Sequence, residues 1–300
     1  MSTPASPAMP RQDDDVAGYW KVLGLPGVID AHVHFMPDSV MRKVWAYFDS
    51  KGPLTGREWP IVYKWPEADR LAHLRSLGVR AFPSLVYAHK PDMAEWLNGW
   101  AAEFAAAHED VMHTATVFPE PSAARYTEDA VRAGTRVFKV HVQVGGFDPR
   151  DPQLDEAWGI LAEAGVPVVV HAGSGPTPGN FTGPGPIGEV LQRHPGLAMI
   201  AAHMGKPEYG AFLDFADRYE NVRVDTTMCF TDFGDEHYDG RDLVPRLRAL
   251  QDKVLFGTDF PNLPYPFAHQ VEALVRLELG DAWMRDVLWN NAALLFGVSA

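Results

Sequence analysis

Val28-Ile29-Asp30-Ala31-His32-Val33-His34 is a short apolar run that closes on two histidines one residue apart. On a strand, side chains alternate with a period of two, so both imidazoles point to the same side and both can reach one ion. Seven further runs follow: Val79–Tyr87, Val111–Phe118, Arg136–Val142, Val166–His171, Leu197–His203, Val222–Thr226 and Val254–Gly257. Segments of helical periodicity separate them, which is the signature of βα repetition and a parallel sheet. Eight strands close a barrel, so the expected fold class is α/β, a single (β/α)8 TIM barrel over residues 27–300. Residues 1–26, with Pro, Ser and Ala followed by Asp13, Asp14 and Asp15, are expected to form a flexible N-terminal arm. Within such a barrel Ile29, Ala31 and Val33 suit the layer between strands and helices, which leaves the histidine face of the first strand for the lumen.

Between the strands, Asp92–His108 carries Met93, Trp96, Leu97, Trp100 and Phe104 at spacings of three and four. That stripe is expected to be helix packing rather than a ligand box. Two connections break the rhythm: Phe35–Pro66 is long and aromatic, and Ala172–Pro186 is crowded with Gly and Pro. Both leave the carboxyl ends of strands, where barrel active sites lie. Gly173, Gly175 and Gly179 do not form a dinucleotide fingerprint, because prolines stand where such a loop must start a helix.

The chain has 300 residues, a length that barrels fill as one unit. Its single cysteine, Cys229, excludes an internal disulfide and a thiolate zinc site, and a reducing, cytoplasmic location is expected. A formal net charge of -13 sets the long-range field against phosphate backbones and anionic lipid, so neither nucleic acid nor membrane is an expected partner. No stretch reaches the length of about eighteen apolar residues that a membrane span needs. The expected partner is a small-molecule substrate, anionic ones included, since a buried divalent cation dominates its own surroundings. A homo-oligomer is left open.

Two more runs end in histidine, His171 and His203, and the last is followed by Thr258 and Asp259. Each alone reads as a hydrogen-bonded polar group. Four strand ends carrying His or Asp at one barrel mouth would be costly to bury without a shared partner. On the fourth run Lys139, His141 and Gln143 alternate with apolar residues and are expected to face the lumen. His73, His89, His108, His113, His194, His237 and His269 show no convergent spacing and are expected at the surface or in structural roles.

From Gly27 to Gly297 the pattern resembles the amidohydrolase superfamily, in the branch that includes aminocarboxymuconate-semialdehyde decarboxylase. The resemblance rests on Ile29-Asp30-Ala31-His32-Val33-His34, Val170-His171-Ala172-Gly173, Ala202-His203-Met204-Gly205, Phe256-Gly257-Thr258-Asp259-Phe260-Pro261 and Asn291-Ala292-Ala293-Leu294-Leu295-Phe296. It implies one divalent metal ion held by His32, His34, His171 and Asp259, with His203 a catalytic group rather than a permanent ligand. Imidazole and carboxylate suit Zn2+, and Mn2+ or Fe2+ are also compatible. Such an ion lowers the pKa of water to about 7. Asp259 then serves as ligand and proton acceptor, and His203 polarises a carbonyl or donates a proton. Other branches carry a carboxylated lysine that bridges two metals on the fourth strand, a position that Lys139 fills, but the mononuclear branch does not need it. Lys139 and His141 are therefore expected to bind substrate or to hold the ligands in place. Arg57, on the first long connection, is a candidate to bind a substrate carboxylate, with a surface ion pair as its alternative.

The resemblance implies metal-dependent hydrolysis of a small organic substrate or, as the alternative, non-oxidative decarboxylation of an aromatic or unsaturated carboxylic acid. A third reading is a barrel that only binds. Hydrolysis is the first expectation, because the strand ends offer His, Asp and small residues but no Arg to orient a substrate carboxylate.

Overall fold

Val28 pairs with Val79 and Ile29 with Ala81, and each later run joins the one before it in the same parallel sense. The computed structural model describes residues 8–50, 58–233 and 238–299. Its strands are β1 (Val28–Ile29), β2 (Val79–Pro83), β3 (Val111–Met112), β4 (Thr114–Thr116), β5 (Val137–His141), β6 (Val168–His171), β7 (Met199–Ala201), β8 (Arg223–Asp225) and β9 (Val254–Leu255). They are hydrogen-bonded in the orders β1-β2-β3 and β4-β5-β6-β7-β8-β9. The third expected strand is thus two segments, broken at His113, whose carbonyl accepts from Arg136 N at 2.9 Å. Beyond β9, Phe256 O accepts from Ala31 N at 2.8 Å, Phe260 O from His34 N at 2.7 Å, and Val33 bridges Phe260 in parallel. The last strand position therefore meets the first, and the sheet closes as a TIM barrel.

A buried cluster takes Ile29, Ala81, Met112, Val137, Val169, Ile200 and Leu255, one residue from each of seven strands, together with Trp289, Ala292 and Phe296 of the C-terminal helices. Side chains from strands all round the ring can meet only inside it, so this cluster fills the barrel interior. Ile29 and Ala31 belong to it, which corrects their expected place in the outer layer; Val33 does lie in the larger core. The register shifts between Val28 and Ile29, and strict alternation does not run through such an irregularity. The larger core packs Val28, Phe82, Phe138, Val140, Val168 and Val170 against the helices.

The N-terminal segment also differs from expectation. Asp13–Val22 is a helix with Val16, Tyr19 and Trp20 buried, and the Trp20 indole donates to Leu77 O at 2.7 Å. The acidic run occupies the first turn, where carboxylates meet the positive end of the helix dipole. Asp13 accepts from Tyr63 OH at 2.6 Å, from His73 at 2.9 Å and from Ala268 N at 2.9 Å. Burial alone would raise the Asp13 carboxyl, but these three hydrogen bonds hold it below its usual value. Of the segment expected to be a flexible arm, residues 1–7 lie outside the described residues and Asp13–Val22 is a helix clamped to the barrel.

The first long connection contains the helix Asp38–Ser50, and the helix Ala94–Ala107 buries Leu97 and Phe104 as expected. Trp96 departs from the packing stripe: it is 49% exposed and lies on the wall of a cavity. It sits at the edge of the angular sector that residues 93, 97, 100 and 104 occupy, so it reaches past the core. After β6 the chain passes close to the turn after β7. A Cβ on Gly173 would stand 2.5 Å from Lys206 O, so the glycine permits the approach that brings these two strand ends together. Among the described residues no helix is long and apolar enough to cross a membrane.

Candidate metal centre

At the carboxyl ends of the strands a cavity of ≈ 940 Å³ opens, lined at its floor by His32, His34, Lys139, His141, His171, His203 and Asp259. All of the candidate site residues read from the strands thus converge there; Arg57 lies outside the described residues, as does His237. One ligand atom from each of His32, His34 and Asp259 falls within 4.8 Å of the others. His171 lines the same cavity but is not one of these three.

Hydrogen-bond acceptors fix which nitrogen of each ring is free, because a carbonyl or carboxylate can only accept. His34 Nδ1 donates to Leu85 O at 2.7 Å and His32 Nδ1 to Asp225 Oδ2 at 2.9 Å. Their Nε2 lone pairs therefore face inward. His203 Nδ1 donates to Thr227 O at 3.1 Å, which frees Nε2, and His171 Nε2 donates to Gly175 O at 3.0 Å, which frees Nδ1. The His171 ring stacks on His141 at 4.0 Å and lies 4.7 Å from the His203 ring.

This donor set fits a divalent ion. His34 Nε2 stands 2.9 Å, and His32 Nε2 3.9 Å, from Asp259 Oδ1. Ligand atoms about 2.1 Å from a shared zinc-like ion are roughly 3.0–3.4 Å apart, which the two distances bracket. Without a cation or a proton between them, the His34 lone pair would oppose a carboxylate oxygen. Burial alone would raise the Asp259 carboxyl, but His34, His32 and Lys139 hold it below the carboxylate range. Burial also drives His32 and His203 well below the ordinary histidine value, and His171 down to about 4, so neutral imidazoles face the centre.

Lys139 Nζ lies 3.1 Å from His32 Nε2, fully buried, and burial brings it down to about 8. Two buried carboxylates lock the frame. Asp225 Oδ1 accepts from His203 N at 2.8 Å and from Thr227 N at 3.1 Å while Oδ2 holds His32. Asp30 accepts from His32 N at 3.0 Å and from Thr258 Oγ1 at 2.5 Å, and its burial raises it to about 8. His203 and Asp259 have positive φ, 54° and 78°, a strained conformation that surrounding hydrogen bonds must hold. Asp259 N donates to His32 O at 2.8 Å. Sequence reasoning gave no role to Asp225 or Asp30. Asp225 is the last residue of β8 as His171 is of β6, but the seventh run extends to Thr226, so Asp225 does not stand at its tip in the sequence.

A closed parallel barrel with a histidine and carboxylate cluster at its carboxyl-terminal mouth defines a metal-dependent enzyme of the TIM-barrel class. The model of the amidohydrolase family matches residues 29–298, and the chain belongs to that family. Among curated proteins nothing matches. Among solved structures, an uncharacterized TIM-barrel protein from Bordetella bronchiseptica aligns with a TM-score of 0.72 at 18% identity, over 91% of this chain and 99% of its own. The 5-carboxyvanillate decarboxylase of Sphingomonas paucimobilis aligns with a TM-score of 0.64 at 16% identity, over 91% of this chain and 100% of its own. A 2,6-dihydroxybenzoate decarboxylase aligns with a TM-score of 0.64 at 19% identity, over 92% of this chain and 100% of its own. At these identities the structures share the fold.

Proposed function

We propose that the chain is a metal-dependent carboxy-lyase that removes carbon dioxide from an aromatic carboxylic acid. The observation that carries this reading is Lys139. Its ammonium is fully buried at the cavity floor and, among the described residues, has no carboxylate within ion-pair distance. A buried cation is costly until an anion meets it; Asp225 and Asp259 act on Lys139 only from beyond ion-pair distance, and a substrate carboxylate would meet it directly. The expectation of hydrolysis rested on the want of an inward cation other than a lysine of undetermined use; a desolvated Lys139 supplies one. Decarboxylases among the similar structures support the reading, including one from Novosphingobium aromaticivorans solved with manganese, at 14% identity and a TM-score of 0.62.

In this reading His32, His34 and Asp259 hold the ion, with His171 as the fourth expected ligand through Nδ1. A divalent ion there withdraws electron density from the substrate oxygens it meets. Lys139 binds the carboxylate that leaves. As the carbon–carbon bond breaks, its electron pair stays on the substrate carbon. His203, neutral with a free Nε2, takes up a proton there from solvent water before the bond breaks and delivers it to that carbon, returning to its neutral form, which changes the donor expected from sequence into a relay. Tyr87, Phe48 and Trp59 line the cavity and exclude water from the developing carbanion.

Hydrolysis remains a second reading, supported by a probable 2-pyrone-4,6-dicarboxylic acid hydrolase from Acinetobacter baumannii at 13% identity and a TM-score of 0.61. The two separate when metal-loaded enzyme is incubated with hydroxybenzoate-type acids, lactones, esters and amides. Carbon dioxide release from an acid, abolished by Asp259→Asn, is expected. Acid release from a lactone or amide with no carbon dioxide from any acid would overturn the lyase reading.

A further inference from the structure

The cavity is far larger than its floor requires. It encloses ≈ 940 Å³, whereas roughly 150 Å³ suffices for a benzene ring. The outer wall has a chemistry of its own. Lys43 from the helix Asp38–Ser50, and His89 and Lys90 from the segment after β2, line it together with Tyr47 and Trp96. Both lysines act on His89, lowering it further after burial has done so, which places the three basic groups within charge range of one another. Among the described residues Lys43 and Lys90 have no hydrogen bond or ion pair, and Asp92, the carboxylate on this part of the wall, bridges neither.

Composition makes that grouping unusual. The chain has 39 acidic against 26 basic side chains, yet this mouth gathers basic groups without acidic partners. A cleft of one sign on an oppositely charged protein concentrates ligands of the complementary sign. Tyr47 and Trp96, each 49% exposed, offer large aromatic surface beside the lysines. Exposed aromatic side chains at a cavity rim stack planar ligands, and a lysine binds an anion as a point charge.

We propose that Lys43, His89 and Lys90, flanked by Tyr47 and Trp96, form an outer subsite for a second carboxylate, so that the substrate is an elongated planar dicarboxylic acid. One carboxylate meets the floor at Lys139 and the other meets the mouth. The assignment of the inner carboxylate rests on the lyase reading; occupancy of the outer subsite is a matter of binding and is measured without turnover.

Calorimetric titration of the metal-loaded full chain with biphenyl-4,4'-dicarboxylate and biphenyl-4-carboxylate tests it. The diacid is expected to bind about tenfold more tightly, and Lys43→Met with Lys90→Met to reduce that preference to about twofold or less. Trp96→Ala is expected to weaken both acids. Equal affinity for the two acids, a preference that survives the double substitution, or no binding of either acid would overturn the proposal. A biphenyl carrying phosphonate in place of the outer carboxylate and binding still more tightly would overturn the choice of carboxylate. Lysine-dependent preference without carbon dioxide release from any acid would retain the subsite and sink the lyase reading.

Discussion

Asp225 Oδ2 lies 2.9 Å from His32 Nδ1, and the same carboxylate accepts the backbone N–H of His203 through its other oxygen at 2.8 Å. One buried side chain thus sets the tautomer of His32, a proposed metal ligand, and the backbone position of His203, the proposed proton carrier. In Asp225→Asn the amide can present an N–H to His32 Nδ1, which favours the ring with its proton on the inward nitrogen. Metal affinity is expected to fall on the order of 10–100-fold. Competition with a metal-sensitive dye measures it, and an unchanged affinity would show that Asp225 does not orient His32.

His203 and the ligands are expected to separate in metal content. Elemental analysis of the purified protein should give close to one divalent ion per chain. His203→Asn should retain that ion and lose most turnover, whereas His34→Asn and His171→Asn should lose both. Metal loss in His203→Asn equal to that in His171→Asn would make His203 a ligand. Retention in His171→Asn would confine the centre to His32, His34 and Asp259.

The barrel was legible because buried parallel strands leave apolar runs, and the convergence of the candidate site residues because His171, His203 and Asp259 stand at or just after the ends of such runs. Two things were less visible. Ile29 and Ala31 could not be assigned to a face by alternation once the register shifts after Val28. Asp225 and Asp30 gave no spacing signal, since their role is to meet groups from other strands: Asp225 reaches His32 across 193 positions and Asp30 reaches Thr258 across 228. Tertiary packing overrode composition in the N-terminal segment too, where three acidic residues expected in a flexible arm form the first turn of a docked helix.

That helix gives a stability prediction with a definite pH sign. Asp13→Ala removes the acceptor shared by Tyr63, His73 and Ala268 N and is expected to cost about 1–3 kcal/mol of stability. The folded pKa of Asp13 lies below its ordinary value, so its contribution is fully present above the unfolded carboxylate pKa of about 3.9 and is lost as the pH falls through the folded value. Thermal or urea unfolding of wild type and Asp13→Ala should differ at pH 7 and converge in acid. A gap that persists unchanged below pH 3 would assign the effect to packing instead.

Lys139 should act on the metal and on the substrate in opposite directions. Its ammonium sits 3.1 Å from His32 Nε2, the nitrogen proposed to hold the metal ion, and Asp225 and Asp259 act on it electrostatically. Two cations near one lone pair repel each other, by about 4 kcal/mol for unit charges 4 Å apart at an effective dielectric of 20. Lys139→Met removes that repulsion and keeps an unbranched side chain of similar length in a fully buried position. The variant should therefore bind its divalent ion more tightly than wild type. Its KM for carboxylic acids should rise, because the buried cation that meets the carboxylate is gone. Lys139→Arg is the second arm: the charge is kept but the larger planar group does not fit the same buried site, so metal affinity should not increase. Weaker metal binding in Lys139→Met, with unchanged KM, would mean that Lys139 supports the centre instead of binding the acid, and the carboxylate would have to be held elsewhere.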